Sequence, residues 1–337
     1  MLYCFLQIYM LHLIYNNDIL DVTIDVMNVR QFEYILAVAK YKHFELAAEK
    51  CFATQSTLST MISKFEEELG IKIFDRKRKP VEITVEGEAI IQQLRLISTH
   101  IEQLSELAKE MKGEIKGNLT IAVIPTIAPF LLPLFLQDFA AKFKELHMEV
   151  RELTTHEIIQ RIKRRELDIG ILSTPILEEE LVEHPLYEEP FVLFDASGKY
   201  TDINRVQQIA AEDLWLMEEG HCMRTQIVHL CELSKKAKNT TLNFDFRAGS
   251  IDSLLRFVKA HQATTLVPYL ATSQFSEQER GLVKTIIAPT PQRAVGLVVH
   301  RDFVKKSVLT LLIQEIITKV SPLLPTVSQD SVQLSPI

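Results

Sequence analysis

Apolar positions near the N-terminus recur at helical spacing. From Met27 onward, Phe32, Ile35, Leu36 and Ala39 share one face of a helix with about 3.6 residues per turn. A second short helix is predicted over residues 44–51. After the brief turn at Phe52 and Ala53, Thr54 or Gln55 caps a third that runs to about residue 69. Leu58, Ile62, Phe65 and Leu69 make its buried stripe, so Gln55, Ser56, Thr57, Ser59, Thr60, Ser63 and Lys64 face outward. Two helices joined by a short turn, the second presenting short hydrogen-bonding side chains, fit a helix-turn-helix that enters a DNA major groove. The same spacing also describes an amphipathic helix with a solvated polar face.

Residues 71–84 add two short apolar strands around the four adjacent cations Arg76, Lys77, Arg78 and Lys79, a winged hairpin whose tip can rest on phosphates. A long helix is predicted over residues 86–111. Its apolar residues Ile90, Leu94, Ile97, Ile101, Leu104, Ala108 and Met111 alternate spacings of four and three. Such a heptad seam favours a two-helix coiled coil, and hence a dimer that presents two reading heads to a pseudo-palindromic double-stranded site. Gly113 and Gly117 end the helix and mark a linker. Beyond them buried strands at 119–124, 148–152 and 167–172 alternate with helices, as in a doubly wound α/β domain with ligands at the carboxyl ends of its strands. Later strands near 191–194, 214–217, 264–268 and 295–299, with a final helix over 304–320, extend this to two lobes. The polar tail over 323–337, with Pro325 and Pro336, is expected to be flexible.

The domain reading is an N-terminal extension over 1–26, a DNA-binding domain over 27–86, a linker helix over 87–117 and a two-lobed domain over 118–322. Lobe I takes about 118–190 and 291–322, and lobe II about 191–290. The apolar run over residues 1–15 lacks a basic flank and a cleavage site, holds Gln7 and His12, and is shorter than a membrane span needs. We therefore take Met27 as the natural start and expect no membrane association. With 337 residues, 47% hydrophobic and 24% charged, the chain can bury more than one core, which excludes a disordered chain. A formal net charge of −7 excludes nucleic-acid binding through overall charge, so any DNA contact must be concentrated, as at the basic tip. Four cysteines are too few for a secreted disulfide framework and suit the cytoplasm.

The order of winged helix-turn-helix, linker helix and two-lobed α/β domain resembles the LysR-type transcriptional regulators, from residue 27 to about 320. The motifs that carry the resemblance are Ala47-Ala48, the run Gln55-Ser56-Thr57-Leu58-Ser59, the run from Phe65 to Gly70, Phe74-Asp75-Arg76, and Thr84-Val85-Glu86-Gly87. Met61 departs from the glutamine frequent in the family. The resemblance implies a periplasmic-binding-protein-like regulatory domain, contacts with RNA polymerase, and homodimers paired into a homotetramer.

Cys222 and Cys231 stand nine positions apart in a stretch that reads as helical. A continuous helix would separate them by about 13.5 Å, whereas a disulfide needs Cα atoms about 5.5 to 6 Å apart. Two readings stay open on spacing: two buried packing cysteines, or a pair that joins only when the helix melts. His221 and Arg224 flank Cys222 and could favour its thiolate. A zinc site with His221 and His229 would lack the close cysteine pair that structural zinc favours, so no metal or cofactor is expected. Met223 reads as a packing residue.

The string Gly220-His221-Cys222-Met223-Arg224 with Cys231 resembles the redox motif of the hydrogen-peroxide-sensing members of that family. Further local matches are Ile124-Pro125-Thr126, Thr155-His156, Phe246-Arg247-Ala248 and Gln292-Arg293. This resemblance implies that Cys222 is the peroxide-reactive thiol and Cys231 the resolving one. Thr126, Thr155 and His221 would line the peroxide pocket, Arg293 would help hold the thiolate, and a thiol reductant such as glutaredoxin or thioredoxin would reset the pair. Thr225 stands where an acidic residue is usual. The expected function is a non-enzymatic activator of antioxidant genes. The alternatives are a LysR-type regulator of a small metabolite bound between the lobes and a thiol peroxidase, the latter without a supporting C-x-x-C motif.

Overall fold

The computed structural model describes residues 28–201, 206–210, 214–218, 222–230, 248–287, 289–326 and 331–336. The extension expected over 1–26 lies outside them, as do His221, Cys231 and the side chain of His229.

Each of the first three helices starts at a side-chain cap, of which only Thr54 was expected from the sequence. α1 (Val29–Tyr41) follows Asn28, which exchanges hydrogen bonds with Gln31 in a capping box. α2 (Phe44–Lys50) follows His43, whose Nδ1 accepts from the Leu46 N–H. α3 (Gln55–Leu69) follows Thr54, whose hydroxyl accepts from the Thr57 N–H at 3.2 Å, and it closes at Gly70 with φ +67°, a left-handed cap suited to glycine. Phe32, Ile35, Val38, Leu58, Ile62 and Phe65 form the core between them, with the Phe32 and Phe65 rings edge to face at 5.9 Å. Leu69, expected in the buried stripe, is half-buried at its end.

β1 (Phe74–Asp75) and β2 (Glu82–Ile83) pair antiparallel as the wing, and α4 (Val85–Met111) leaves directly from it. A Cβ on Gly87 would lie 2.4 Å from the Ile73 carbonyl oxygen, so the close approach of α4 to the wing requires glycine. Along α4, Ile91 and Leu94 are buried, whereas Ile97, Ile101, Leu104 and Met111 of the heptad seam are exposed. The chain divides into two compact units between Ser105 and Glu106, within this helix.

The second unit begins with β3 (Gly117–Val123), α5 (Ala128–Lys142), β4 (Leu146–Glu152), α6 (Thr155–Lys163) and β5 (Ile169–Thr174), giving three parallel strands with two helical crossovers. It continues through β6 (Leu181–Asp195), α7 (Cys222–Leu230), α8 (Ile251–Ala260), β7 (Thr264–Pro268), α9 (Glu277–Arg280), β8 (Val283–Lys284), β9 (Thr290–His300), α10 (Lys306–Val320) and β10 (Ser331–Gln333). The main sheet path is β4-β3-β5-β9-β6-β7. β6 and β9 run antiparallel from Leu181 opposite His300 to Pro190 opposite Gln292, with an irregularity between Pro185 and Tyr187. The C-terminal end of β6 then pairs with β7, so these two strands carry the chain from one lobe into the other. This is the expected two-lobed mixed α/β architecture.

Three expectations need correction. The short strands read at 191–194 and 295–299 are parts of two long ones: Pro185, Pro190, Pro291 and Gly296 look like strand breakers, yet β6 and β9 run through all four, with an irregularity only at Pro185. The strand expected over 214–217 is two isolated bridges, Leu214 to Thr264 and Met217 to Ala248. The tail is not uniformly flexible: β10 pairs parallel with Thr290–Gln292 of β9, and Leu334 is buried in the core.

Candidate functional site

In the first unit, Gln55, Ser56, Thr57 and Thr60 are exposed along the N-terminal half of α3, and Ser59 and Ser63 are half-buried beside them. The Thr54 hydroxyl lies 2.9 Å from those of both Ser56 and Thr57, so these small side chains are pre-ordered at the helix tip. The four cations of the wing separate into two kinds. Arg76 does not reach out with the tip: Nη2 lies 3.2 Å from Glu66 Oε2, Nη1 donates to Ser59 Oγ at 3.0 Å, and the guanidinium packs 5.0 Å from the Phe44 ring centroid. Lys77, Arg78 and Lys79 are exposed at the tip. Arg78 pairs with Glu82 at 2.6 Å, while Lys77 and Lys79 have no carboxylate within 4.0 Å among the described residues.

Glu66 makes that division. Its carboxylate is fully buried and accepts from the backbone N–H groups of Ile73 at 2.8 Å and Phe74 at 3.1 Å as well as from Arg76, tying the recognition helix to the wing. The sequence reading assigned it only to a family motif. Its position four residues after Ile62 and eight after Leu58, on the edge of the buried stripe, was the signal that it turns inward.

In the second unit, Thr126 lies just beyond the carboxyl end of β3, Thr155 just beyond that of β4, and Ser173 near that of β5. This is where a parallel sheet presents a ligand site. Arg293 on β9 is 1% exposed and faces Glu189 on β6, which is fully buried. Arg293 Nε donates to Glu189 Oε1 at 2.9 Å, Nη1 to Thr126 Oγ1 at 3.0 Å and Nη2 to the Thr126 carbonyl at 3.1 Å. The second oxygen of Glu189 accepts from the Leu270 N–H at 2.9 Å. Tyr187, two residues before Glu189 and on its face of β6, has a buried hydroxyl with no partner, and burial first, then Glu189, holds its pKa well above the ordinary phenol value. Ser173 lies on the same cross-strand row as Val295 and Tyr187, and its buried hydroxyl is also unpartnered, as is that of Thr155. Orphaned hydroxyls beside a buried ion pair are suited to a small polar guest or water.

Cys222 is a free thiol, 6% exposed, at the first residue of α7. Met223, Gln226 and Ile227, the inward face of that helix, are fully buried, so Met223 is a packing residue as expected. The flanking guanidinium is not directed at the thiol: Arg224 Nη1 donates to the Met217 carbonyl at 2.8 Å. Among the described residues no hydrogen bond joins Cys222 to Thr126, Thr155 or Arg293. The structure therefore brings together Thr126 and Arg293 of the expected pocket and places Arg293 on Glu189 rather than on the thiol. Glu189 was missed because the sequence split its strand, and Gln226 because a lone glutamine in a helix carries no spacing signal.

Residues 29–88 match the bacterial regulatory helix-turn-helix protein model of the lysR family, and residues 112–320 match the LysR substrate binding domain. The chain belongs to the LysR family. Among its LysR-family relatives, the DNA-binding transcriptional dual regulator OxyR of Escherichia coli (strain K12) is 32% identical over 275 residues, covering 81% of this chain and 89% of that protein. The hydrogen peroxide-inducible genes activator of Haemophilus influenzae is 31% identical over 277 residues, 81% of this chain and 90% of that one. Among solved structures, a full-length OxyR cysteine variant from Pseudomonas aeruginosa aligns with a TM-score of 0.65 at 26% identity, covering 86% of this chain and 98% of that chain. OxyR from Porphyromonas gingivalis aligns at 0.58 and 28% identity over 65% of this chain and all of that one.

Proposed function

We propose that this LysR-family regulator is a DNA-binding transcriptional activator that senses hydrogen peroxide through a reversible disulfide between Cys222 and Cys231. The observation that carries the reading is a buried free thiol at the start of a short helix, in a chain similar over most of its length to hydrogen peroxide-inducible activators.

The chemistry balances on two thiols and one peroxide. The Cys222 thiolate attacks the peroxide O–O bond and leaves as sulfenic acid with release of hydroxide, and the Cys231 thiolate then displaces the hydroxyl from that sulfur. Two electrons leave the thiols and two waters result once protons are supplied. Eight helical steps separate Cys222 from Leu230, about 12 Å at 1.5 Å each, and the next Cα adds at most about 3.8 Å. Cys231 therefore comes no nearer than about 8 Å to Cys222 while α7 is intact, beyond the roughly 7 Å limit for bridging. Bond formation must uncoil the helix, and that coupling turns an oxidation into a change of shape. Thr126, Thr155 and His221 serve as the polar wall for the oxidant, and Arg293 acts at one remove, through Thr126.

The exposed apolar seam of α4 supports pairing with a second copy, with dimers joined into a tetramer on a pseudo-palindromic duplex and contacting RNA polymerase. The protein would work in the cytoplasm, without cofactor or catalytic turnover, and be reset by a glutaredoxin- or thioredoxin-type dithiol. A second reading, a regulator of a metabolite bound between the lobes, is favoured by the unpartnered Ser173 and Tyr187 hydroxyls beside the Arg293–Glu189 pair.

Thiol trapping with peptide mass spectrometry, on reduced protein given about one equivalent of peroxide, separates the two. A fast Cys222–Cys231 link that is absent in Cys222→Ser is the expected result. Two thiols that stay free while the protein responds to a metabolite would overturn it.

A further inference from the structure

The C-terminal strand is joined to the helix that carries the thiol. Leu334, just past β10, is held by both of its backbone polar groups: its N–H donates to the Gln292 carbonyl of β9 at 2.8 Å, and its carbonyl accepts from Gln226 Nε2 of α7 at 3.0 Å. Gln226 is fully buried and Leu334 nearly so. The amide must present its nitrogen to Leu334, because the reversed orientation would set two oxygens against each other. Gln226 Oε1 has no hydrogen-bond partner, so the bond to Leu334 is the one hydrogen bond of this side chain among the described residues. Gln292 is the immediate neighbour of Arg293, and its own amide donates to Glu188 at 3.1 Å. One residue of the tail thus bridges α7, four residues after Cys222, to the strand that links the lobes.

We propose that Gln226 is a positioning residue for Cys222, acting with the C-terminal strand as its anchor: the bond to Leu334 holds α7 helical and so sets how readily Cys222 and Cys231 can join. This rests on the disulfide reading above, with peroxide as the oxidant. A helix of nine residues is marginal by its own propensity and depends on tertiary contacts. When the disulfide uncoils it, Gln226 leaves Leu334, a buried carbonyl loses its donor, and β10 loosens from β9. By linkage the effect is reciprocal, so loosening the strand favours the uncoiled, disulfide-bonded form to the same degree.

The test uses three proteins: full-length wild type, full-length Gln226→Leu, and a chain ending at Thr326. The leucine variant removes the amide alone and serves if the shorter chain fails to fold. In the reduced proteins, hydrogen exchange is read over residues 222–230 and 331–336. Removing the strand should speed exchange in the helix, and Gln226→Leu should speed it in the strand, each by about tenfold, the size of one net hydrogen bond. The Cys222–Cys231 equilibrium in a dithiothreitol redox buffer should shift about tenfold toward the disulfide in both variants, a readout that a merely structural glutamine would leave unmoved. Helix exchange and midpoint unchanged in both variants would overturn the proposal while leaving the disulfide reading intact. Exchange that is coupled in a protein whose cysteines never join would overturn the disulfide reading and, with it, the redox role of Gln226.

Discussion

Each unit holds one arginine locked to a buried glutamate, and the two pairs do opposite work. In the first, Arg76 meets Glu66 at 3.2 Å while a third of its side chain remains in solvent. In the second, Arg293 meets Glu189 at 2.8 Å with both side chains sealed from water. The half-exposed pair keeps the water around Arg76 and is a mechanical joint between the recognition helix and the wing. The sealed pair gives up hydration on both sides, and Glu189 and Thr126 must replace it. The second joint also leaves unpartnered hydroxyls beside it where a guest can use them.

The largest test of that contrast is Glu189→Ala. It leaves the Arg293 guanidinium buried without its counter-charge, and the second unit should lose about 3–5 kcal/mol in urea unfolding. Glu189→Leu combined with Arg293→Met should recover most of this. A double variant no better than the single would show that Thr126 and Leu270, rather than the charges, hold the junction.

A smaller loss follows from Glu66→Ala, which strips the acceptor from two backbone N–H groups, from Arg76 and from Lys72, whose Nζ lies 3.3 Å from Glu66 Oε2. About 2–3 kcal/mol is expected from the first unit, read as faster hydrogen exchange at Ile73 and Phe74. If those amides stay protected, the wing is held by its apolar packing instead.

The smallest effects belong to the tip. Lys77→Ala and Lys79→Ala should each weaken binding to a random-sequence duplex and lower the log–log salt slope by about one, whereas Arg76→Ala should change the slope less, because its charge is already engaged by Glu66. Equal slope changes for all three would erase the distinction between joint and tip.

The first unit was largely legible because its function is on the surface of regular helices. The cap Thr54 opens α3 where its hydrogen-bonding type predicts, and the face bearing Gln55, Ser56 and Thr57 follows from the stripe of Leu58, Ile62 and Phe65. Even there the reading put Arg76 with Lys77, Arg78 and Lys79, since four adjacent cations look alike until a buried carboxylate picks one out. In the second unit the order of strands and helices was readable, but the prolines of β6 and β9 hid the two long strands on which Glu189 and Arg293 face each other.

What the sequence by itself determined are the features written in local spacing: the helical periods, the Thr54 cap, the heptad spacing along α4, and the nine-residue spacing of Cys222 and Cys231. Only the tertiary structure decided which polar side chains are partners. Arg293 finds Glu189 and Thr126 across separations of 104 and 167 residues, and Gln226 finds Leu334 across 108. Such pairings are paid for by loop closure only on folding and leave no periodic trace in the sequence. They are set by strand register and by the cost of leaving a buried charge or donor without a replacement for the water it has lost.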